Sequence, residues 1–330
     1  MSGGMVGMGV GMNSGVEAFK VAWLKRRAQF STVAFLRSSD PKRLPQFIKF
    51  IHDIYSSSSS RKPFRIFVYR VWSGLYEAKV VPLPDGTYTI QYEPVAPPTS
   101  SAATPLMQAL SRVASRQQIR DLATALSFLD TLMNTSERVI AIFWGLFAFK
   151  NVSDNELYQF IKFLRNAIFT DRYYVKYHFI VVFTDFPEAL ADDDTLKHSI
   201  VVDVPLSTKE ERIQILKDIA ERLGMQLSNG ELDTLAEATK GLNIHETESV
   251  ALESIFRFKR FDVSAMTEFK YDIVRKSGIL DIEQPQHGFE AVGGYEAVKR
   301  FIQTNVIKVL RNPRKAEMLG SRPPRGILFF

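Results

Sequence analysis

The chain has 330 residues, 45% of them hydrophobic, with 42 Lys and Arg against 36 Asp and Glu for a formal charge of +6. That is enough apolar material for a large core in two globular units plus tails, and no run of eighteen apolar residues exists to span a membrane. Zero cysteines exclude disulfides and thiolate metal sites and suit a cytoplasmic location, while the scattered basic charges fit a solvated surface better than a nucleic-acid stripe.

Residues 1–19 open with a Gly- and Met-rich stretch that has neither the basic start nor the cleavage site of a signal peptide, and they read as a disordered leader. Strand-like and helix-like segments then alternate, which favours an α/β sheet. Residues 31–36 are strand-like, and Leu44, Phe47, Ile48 and Ile51 mark one helical face before a serine run at 56–60. A strand is expected over 64–71, with Trp72-Ser73-Gly74-Leu75 turning out of it, then a hairpin over 79–92 around Pro84-Asp85-Gly86. A Pro/Ala/Ser loop over 93–105 precedes helical patterns over 106–114 and 119–132 and an apolar strand over 139–149. Ser153 and Glu156 form a capping-box pattern for a helix that turns Leu157, Phe160, Ile161 and Leu164 inward. Core strands follow over 179–184 and 199–204.

Beyond residue 205 the pattern is helical. Ser207 and Glu210 spell a capping box, and Ile213, Leu216, Ile219 and Leu223 supply a stripe. Further helices are expected over 246–259 and 266–277, with Gly278 as a stop. Near the end, Val298, Phe301, Ile302, Val306 and Leu310 recur at helical spacing, and Pro323-Pro324-Arg325-Gly326 leads into the short apolar strand 327–330.

The order Phe289-Glu290-Ala291-Val292-Gly293-Gly294-Tyr295, a helix, Asn312-Pro313, Leu319-Gly320-Ser321-Arg322-Pro323-Pro324 and an apolar strand resembles the opening of an AAA-family ATPase module. The phosphate loop G-x-x-x-x-G-K-[ST] of such a module would follow Phe330. Val204-Pro205-Leu206-Ser207-Thr208 and Leu235-Ala236-Glu237-Ala238-Thr239-Lys240-Gly241-Leu242 likewise resemble the passage into the helical lid of an AAA module. The resemblance extends to Trp23-Leu24-Lys25-Arg26-Arg27, residues 68–75, Phe149-Lys150 and residues 274–280, the layout of archaeal and plastid-encoded AAA proteins that pair a degenerate N-terminal ATPase-like domain with an intact second one.

That resemblance implies a P-loop-NTPase-like α/β fold with a mainly parallel sheet and flanking helices over 20–205. A helical lid over 206–280, a linker over 281–288 and the start of a second AAA module over 289–330 would follow. Ala291, Val292 and Gly293 would line an adenine pocket with Gly294 turning the chain into the next helix; the bland reading of the two glycines is a plain turn.

ATP hydrolysis needs a phosphate cradle with a Lys, a strand-end acid for Mg²⁺ and water, and a positive charge on the transition state. Arg37-Ser38-Ser39-Asp40-Pro41-Lys42-Arg43 lacks the loop glycines, and Lys150-Asn151 stands where an Asp-Glu pair is required. Leu196-Lys197-His198-Ser199 replaces the arginines, and Ile244-His245 replaces a small Gly-Ala pair. The five histidines show no ligand spacing.

ATP and Mg²⁺ are therefore expected only in the full-length parent, as are a homo-oligomeric ring and a remodelled partner, and no catalytic residue is assigned within these positions. Two alternatives stay open. One is a nucleotide-independent interaction scaffold, for which the aromatic stretch 163–186 could supply a face; the other is nucleic-acid remodelling, which rests on basicity alone.

Overall fold

The computed structural model describes residues 14–56, 64–83, 88–96, 118–135, 138–146, 152–276, 287–311, 313–318, 320 and 326. Near-continuous apolar runs form β1 (Val33–Arg37), β2 (Arg65–Arg70), β5 (Val139–Trp144), β6 (Phe179–Phe183) and β7 (Ile200–Asp203). Such runs suit strands covered on both faces. With the hairpin strands β3 (Gly74–Pro82) and β4 (Tyr88–Pro94) they make a seven-stranded sheet in the order β4-β3-β2-β5-β6-β1-β7. Every neighbouring pair from β2 to β7 is parallel, and β2–β3 and β3–β4 are antiparallel.

Helices α1 (Gly15–Gln29) and α2 (Arg43–Ser56) cover one face of this sheet, where Phe19, Phe47, Ile48 and Ile51 meet Ala34 and Leu36 of β1. On the opposite face, α3 (Leu122–Thr135) and α4 (Asp154–Phe169) bury Leu126, Leu129, Phe160 and Leu164 against Val33 and Phe35. Alternate residues of one strand thus feed two cores. A mostly parallel sheet with helices on both faces is the P-loop-NTPase-like α/β architecture that the sequence leads one to expect.

Local chemistry explains most element ends. Ser153 and Glu156 make the expected capping box on α4. Residues 15–19, expected within the disordered leader, belong instead to α1, which starts at Gly15 with Ser14 as its cap, and Ala18 and Phe19 are fully buried. Packing of Phe19 edge-on against Phe47, at 5.3 Å between ring centroids, draws these residues into the core. The helix expected from residue 119 begins at Leu122, since Ile119 pairs with β3 instead: its carbonyl accepts from Leu75 N at 2.8 Å. The 84–87 turn, the helix over 106–114 and residues 147–151 lie outside the described residues, as do most of the 281–288 linker, Gly278 and the strand 327–330.

A short helix, α5 (Asp171–Val175), leads into β6, and α6 (Asp193–Lys197) lies between β6 and β7. His178, fully buried before β6, accepts from Val139 N at Nδ1 (3.2 Å) and donates from Nε2 to Met133 O (2.8 Å). Burial, reinforced by Lys176 and Arg26, pushes its pKa down to about 4. The folded ring stays neutral where the unfolded chain takes up a proton, so its stabilisation is complete above about pH 6.5 and is lost as pH falls toward 4. The loss amounts to about 3 kcal/mol. Urea unfolding should register that loss, with the His178 ring resonances unchanged at about pH 5.5.

Four helices follow the sheet: α7 (Lys209–Arg222), α8 (Asn229–Ala238), α9 (Ile244–Phe258) and α10 (Val263–Lys276). The capping box of α7 is Thr208 with Glu211, one residue later than the expected Ser207 with Glu210. Ser207 is buried instead, with its hydroxyl donating to Leu242 O.

The chain divides into two compact units, the first ending at Lys270 and the second beginning at Tyr271. In the second, a 3-10 turn (Phe289–Ala291) precedes α11 (Glu296–Ile302), a π turn (Gln303–Ile307), α12 (Lys308–Arg311) and α13 (Pro313–Met318). Val298, Phe301 and Leu310, expected on a buried stripe, are exposed, whereas Val309 is buried. The π turn accommodates one extra residue and rotates the stripe beyond it, which breaks the regular helical spacing.

Candidate functional site

In a parallel sheet, ligands sit beyond the strand C-termini where successive connections leave toward opposite faces. β1 is such a strand. Its exit leads to α2 on one face, while β6 exits through Leu190 and Ala191, which are buried in the core of the other. Arg37, at the end of β1, spans this crevice, pairing with Glu188 after β6 and with Asp203 Oδ1 at the end of β7 (3.5 Å).

Next comes the loop 38–42, whose conformation is set by Asp40. Asp40 N donates to Ser38 Oγ at 3.2 Å, and Asp40 Oδ1 accepts from Lys42 N at 3.0 Å. Its other oxygen accepts from Ile244 N at 2.9 Å, the first residue of α9. Helix N-termini present unpaired N–H groups that favour anions. A carboxylate of the chain itself takes that place here, at 3% exposure.

Arg43 opens α2 and is 1% exposed. Its guanidinium grips Glu211 of α7 by both oxygens, Nη1 to Oε1 at 2.6 Å and Nη2 to Oε2 at 3.1 Å. It also donates to Gln46 Oε1 (2.8 Å), Pro205 O (2.9 Å) and Leu206 O (3.3 Å). Glu211 in turn accepts from Thr208 N at 2.9 Å, so one carboxylate both caps α7 and neutralises the arginine. Planar, bidentate pairing of this kind is what guanidinium supplies and an ammonium does not. Asp40, Arg43 and Glu211 together fasten the helical subdomain to the sheet.

Gly15 backs onto this network. A Cβ at Gly15 would lie 2.3 Å from Arg43 Nη1, and the pairing above leaves that group little freedom. Gly15→Ala should cost about 1–3 kcal/mol by overpacking. The cost should shrink in an Arg43→Ala background, a coupling that a double-mutant cycle on unfolding free energies would read.

Ala291, Val292, Gly293 and Gly294 lie in the second unit and are exposed. Gly294 has φ 69, which fits the expected turn, and a Cβ at Gly293 or Gly294 would meet nothing within 4 Å. In the first unit Ile244 is buried and His245 exposed. His198 lies with Nε2 3.9 Å from Asp194 Oδ1 and its ring 5.2 Å from Phe169. Lys150 and Asn151 fall outside the described residues. Asp40 and Arg43 were visible in the sequence only as charges in a loop without glycine; nothing there pointed to Glu211.

No protein-family model matches the chain. An uncharacterized AAA domain-containing protein, ycf46, of Guillardia theta is 25% identical over 216 residues, covering 64% of this chain and 40% of that relative. The ATPase family gene 2 protein of Schizosaccharomyces pombe is 24% identical over 161 residues, covering 43% of this chain and 20% of that relative. These relatives support an AAA-family ATPase. The chain matches well under half the length of either.

Among solved structures, domain III of the Thermotoga maritima replication initiation protein DnaA aligns with TM-score 0.38 at 12% identity, over 81% of this chain and 94% of that one. The E. coli MS115-1 HORMA:CdnC:Trip13 complex gives TM-score 0.41 at 12% identity, over 80% and 78%.

Against the ATP and Mg²⁺ that AAA relatives imply, the first unit is a poor fit. Its α9 terminus faces a carboxylate, and the guanidinium at the start of α2 is already neutralised. Among the described residues no group of three or more His, Asp or Glu side chains could hold a metal ion, and no helix is long and apolar enough to cross a membrane.

Proposed function

We propose that the first unit is an AAA-type module that has replaced nucleotide with its own side chains, serving ring assembly or partner docking within a longer AAA ATPase. The observation that carries this reading is Arg43, 1% exposed and paired bidentately with Glu211 across the sheet and the following helices. A nucleotide commonly ties such parts together through its phosphates; here an intramolecular ion pair performs that task permanently. ATP binding and hydrolysis with Mg²⁺ would then belong to the second module, with Ala291, Val292 and Gly293 at the adenine and Gly294 as the turn into α11. A homo-oligomeric ring in the cytoplasm is the setting this implies. Nucleic-acid remodelling has only the +6 charge behind it.

Isothermal titration of the chain with ATP and Mg²⁺ tests the proposal. No saturable heat is expected at micromolar nucleotide, because the phosphate cradle and its lysine are missing. Mg²⁺-dependent micromolar binding, abolished by substitution at Lys42 or Arg43, would overturn it.

A further inference from the structure

The hairpin of β3 and β4 extends the sheet beyond β2, and its two faces carry different charge. Alternate residues of a strand share a face. Ile66 and Val68 of β2 and Ala78 of β3 belong to the core under α2, so Arg70, two residues past Val68, lies on that side. Tyr76 joins it by its spacing from Ala78, and Tyr92 by its register with Ala78. The described carboxylates of the hairpin are on the opposite face, where Arg65 holds Glu77 at 2.9 and 3.2 Å and Lys79 holds Glu93.

Arg70 is thus left without an acidic partner among the described residues. Its guanidinium lies over the ring of Tyr92 at 4.2 Å and beside that of Tyr76 at 5.8 Å. Stacking of this kind holds the planar fork in place before any anion arrives. Its charge is felt across the face. The Tyr76 hydroxyl pKa is lowered, first by hydrogen bonding with Gln118 and Ser73 and then, against desolvation, by Arg70 and Arg120.

Between this face and the start of α2 runs an open groove of about 610 Å³. Pro41, Leu44 and Pro45 line it from one side and Ile90 and Tyr92 from the other, with buried Ile244 also in contact. Lys42 in the same lining is already matched by Glu248 at 2.6 Å, and Gln46 by Arg43 at 2.8 Å. An incoming anion therefore meets Arg70. Small-molecule sites cover most of their ligand, which a groove this open does not do. An extended chain suits it better, because such a chain offers a charged side chain and apolar neighbours in turn. Arg and Tyr are also the residues in which protein interfaces concentrate their binding energy.

We propose that this groove docks an extended acidic segment of a partner protein, with a Glu or Asp carboxylate on the Arg70 fork and aliphatic neighbours against Pro45 and Ile90. This assignment rests on the docking role proposed above for the first unit. Peptide and ATP are titrated separately, so either reading can fail alone.

Labelled methyl groups of Ile90 and Ile244 in the whole chain report occupancy directly by NMR. Acetyl-Leu-Glu-Leu-amide should shift both saturably, with a Kd of about 1 mM. Acetyl-Leu-Gln-Leu-amide should bind the parent about ten-fold more weakly, and Arg70→Gln should lose the same factor for the Glu peptide, the share of one charge-assisted pair. Arg70→Glu is the second variant. It should prefer acetyl-Leu-Lys-Leu-amide to the Glu peptide by about ten-fold, a reversal that misfolding cannot produce. Unmoved methyls at about 10 mM peptide, or equal affinity of the parent for the Glu and Gln peptides, would overturn the assignment. Acetyl-glutamate amide bound as tightly as the tripeptide would overturn the partner chain in favour of a small carboxylate.

Discussion

Glu211→Ala is expected to lower the unfolding free energy of the first unit by about 3–5 kcal/mol, the loss typical of removing one partner from a buried ion pair. Arg43, 1% exposed in the parent, would keep among the described residues only Gln46 and two backbone carbonyls as close acceptors, with Asp40 Oδ2 at 4.0 Å. The same change strips the capping box from α7, worth about 0.5–2 kcal/mol for a helix N-terminus. Urea unfolding measures the sum. Hydrogen exchange should locate it, with amides of α7 and α9 opening before those of β6. Arg43→Met combined with Glu211→Leu should recover most of the loss, because paired apolar replacements remove the stranded charge. A loss below about 1 kcal/mol for Glu211→Ala would mean that the pair behaves as a surface bridge, and the fastening role would fall with it.

Gly74→Ala should be of comparable severity for a different reason. Gly74 begins β3 with φ 95, and a Cβ there would lie 2.3 Å from Ile119 O and 3.0 Å from Arg120 Cα. Backbone in that conformation costs a non-glycine residue about 1–3 kcal/mol. Forcing Ile119 away costs about 1–3 kcal/mol more and breaks its hydrogen bond to Leu75 N. Leu75 and Ile119 are both buried, so the damage reaches the core under α3. A midpoint in urea close to the parent's would show that the strand end relaxes freely, contrary to the close approach.

Trp72-Ser73-Gly74-Leu75 shows how far residues alone can be read. As a tetrapeptide it announces a turn out of β2, and the chain does turn there. That Gly74 must be glycine because Ile119 passes over it depends on a segment 45 residues away, which only the folded sheet brings near. The π turn at Gln303–Ile307 is the opposite case, in which regular spacing from Val298 to Leu310 pointed to a continuous stripe that the helix does not keep.

The sequence by itself determined the core strands, the hairpin and the α4 capping box, because periodicity and capping are local properties read within a few residues, and its motifs carried the resemblance to AAA modules. It also revealed that the loop after β1 lacks glycines. Only the tertiary structure decided what stands there instead. Asp40 reaches Ile244 across 204 positions and Arg43 reaches Glu211 across 168, and before folding such charges are indistinguishable from a solvated surface. Burial converts them, since a guanidinium withdrawn from water is tolerated only where a carboxylate is already in place.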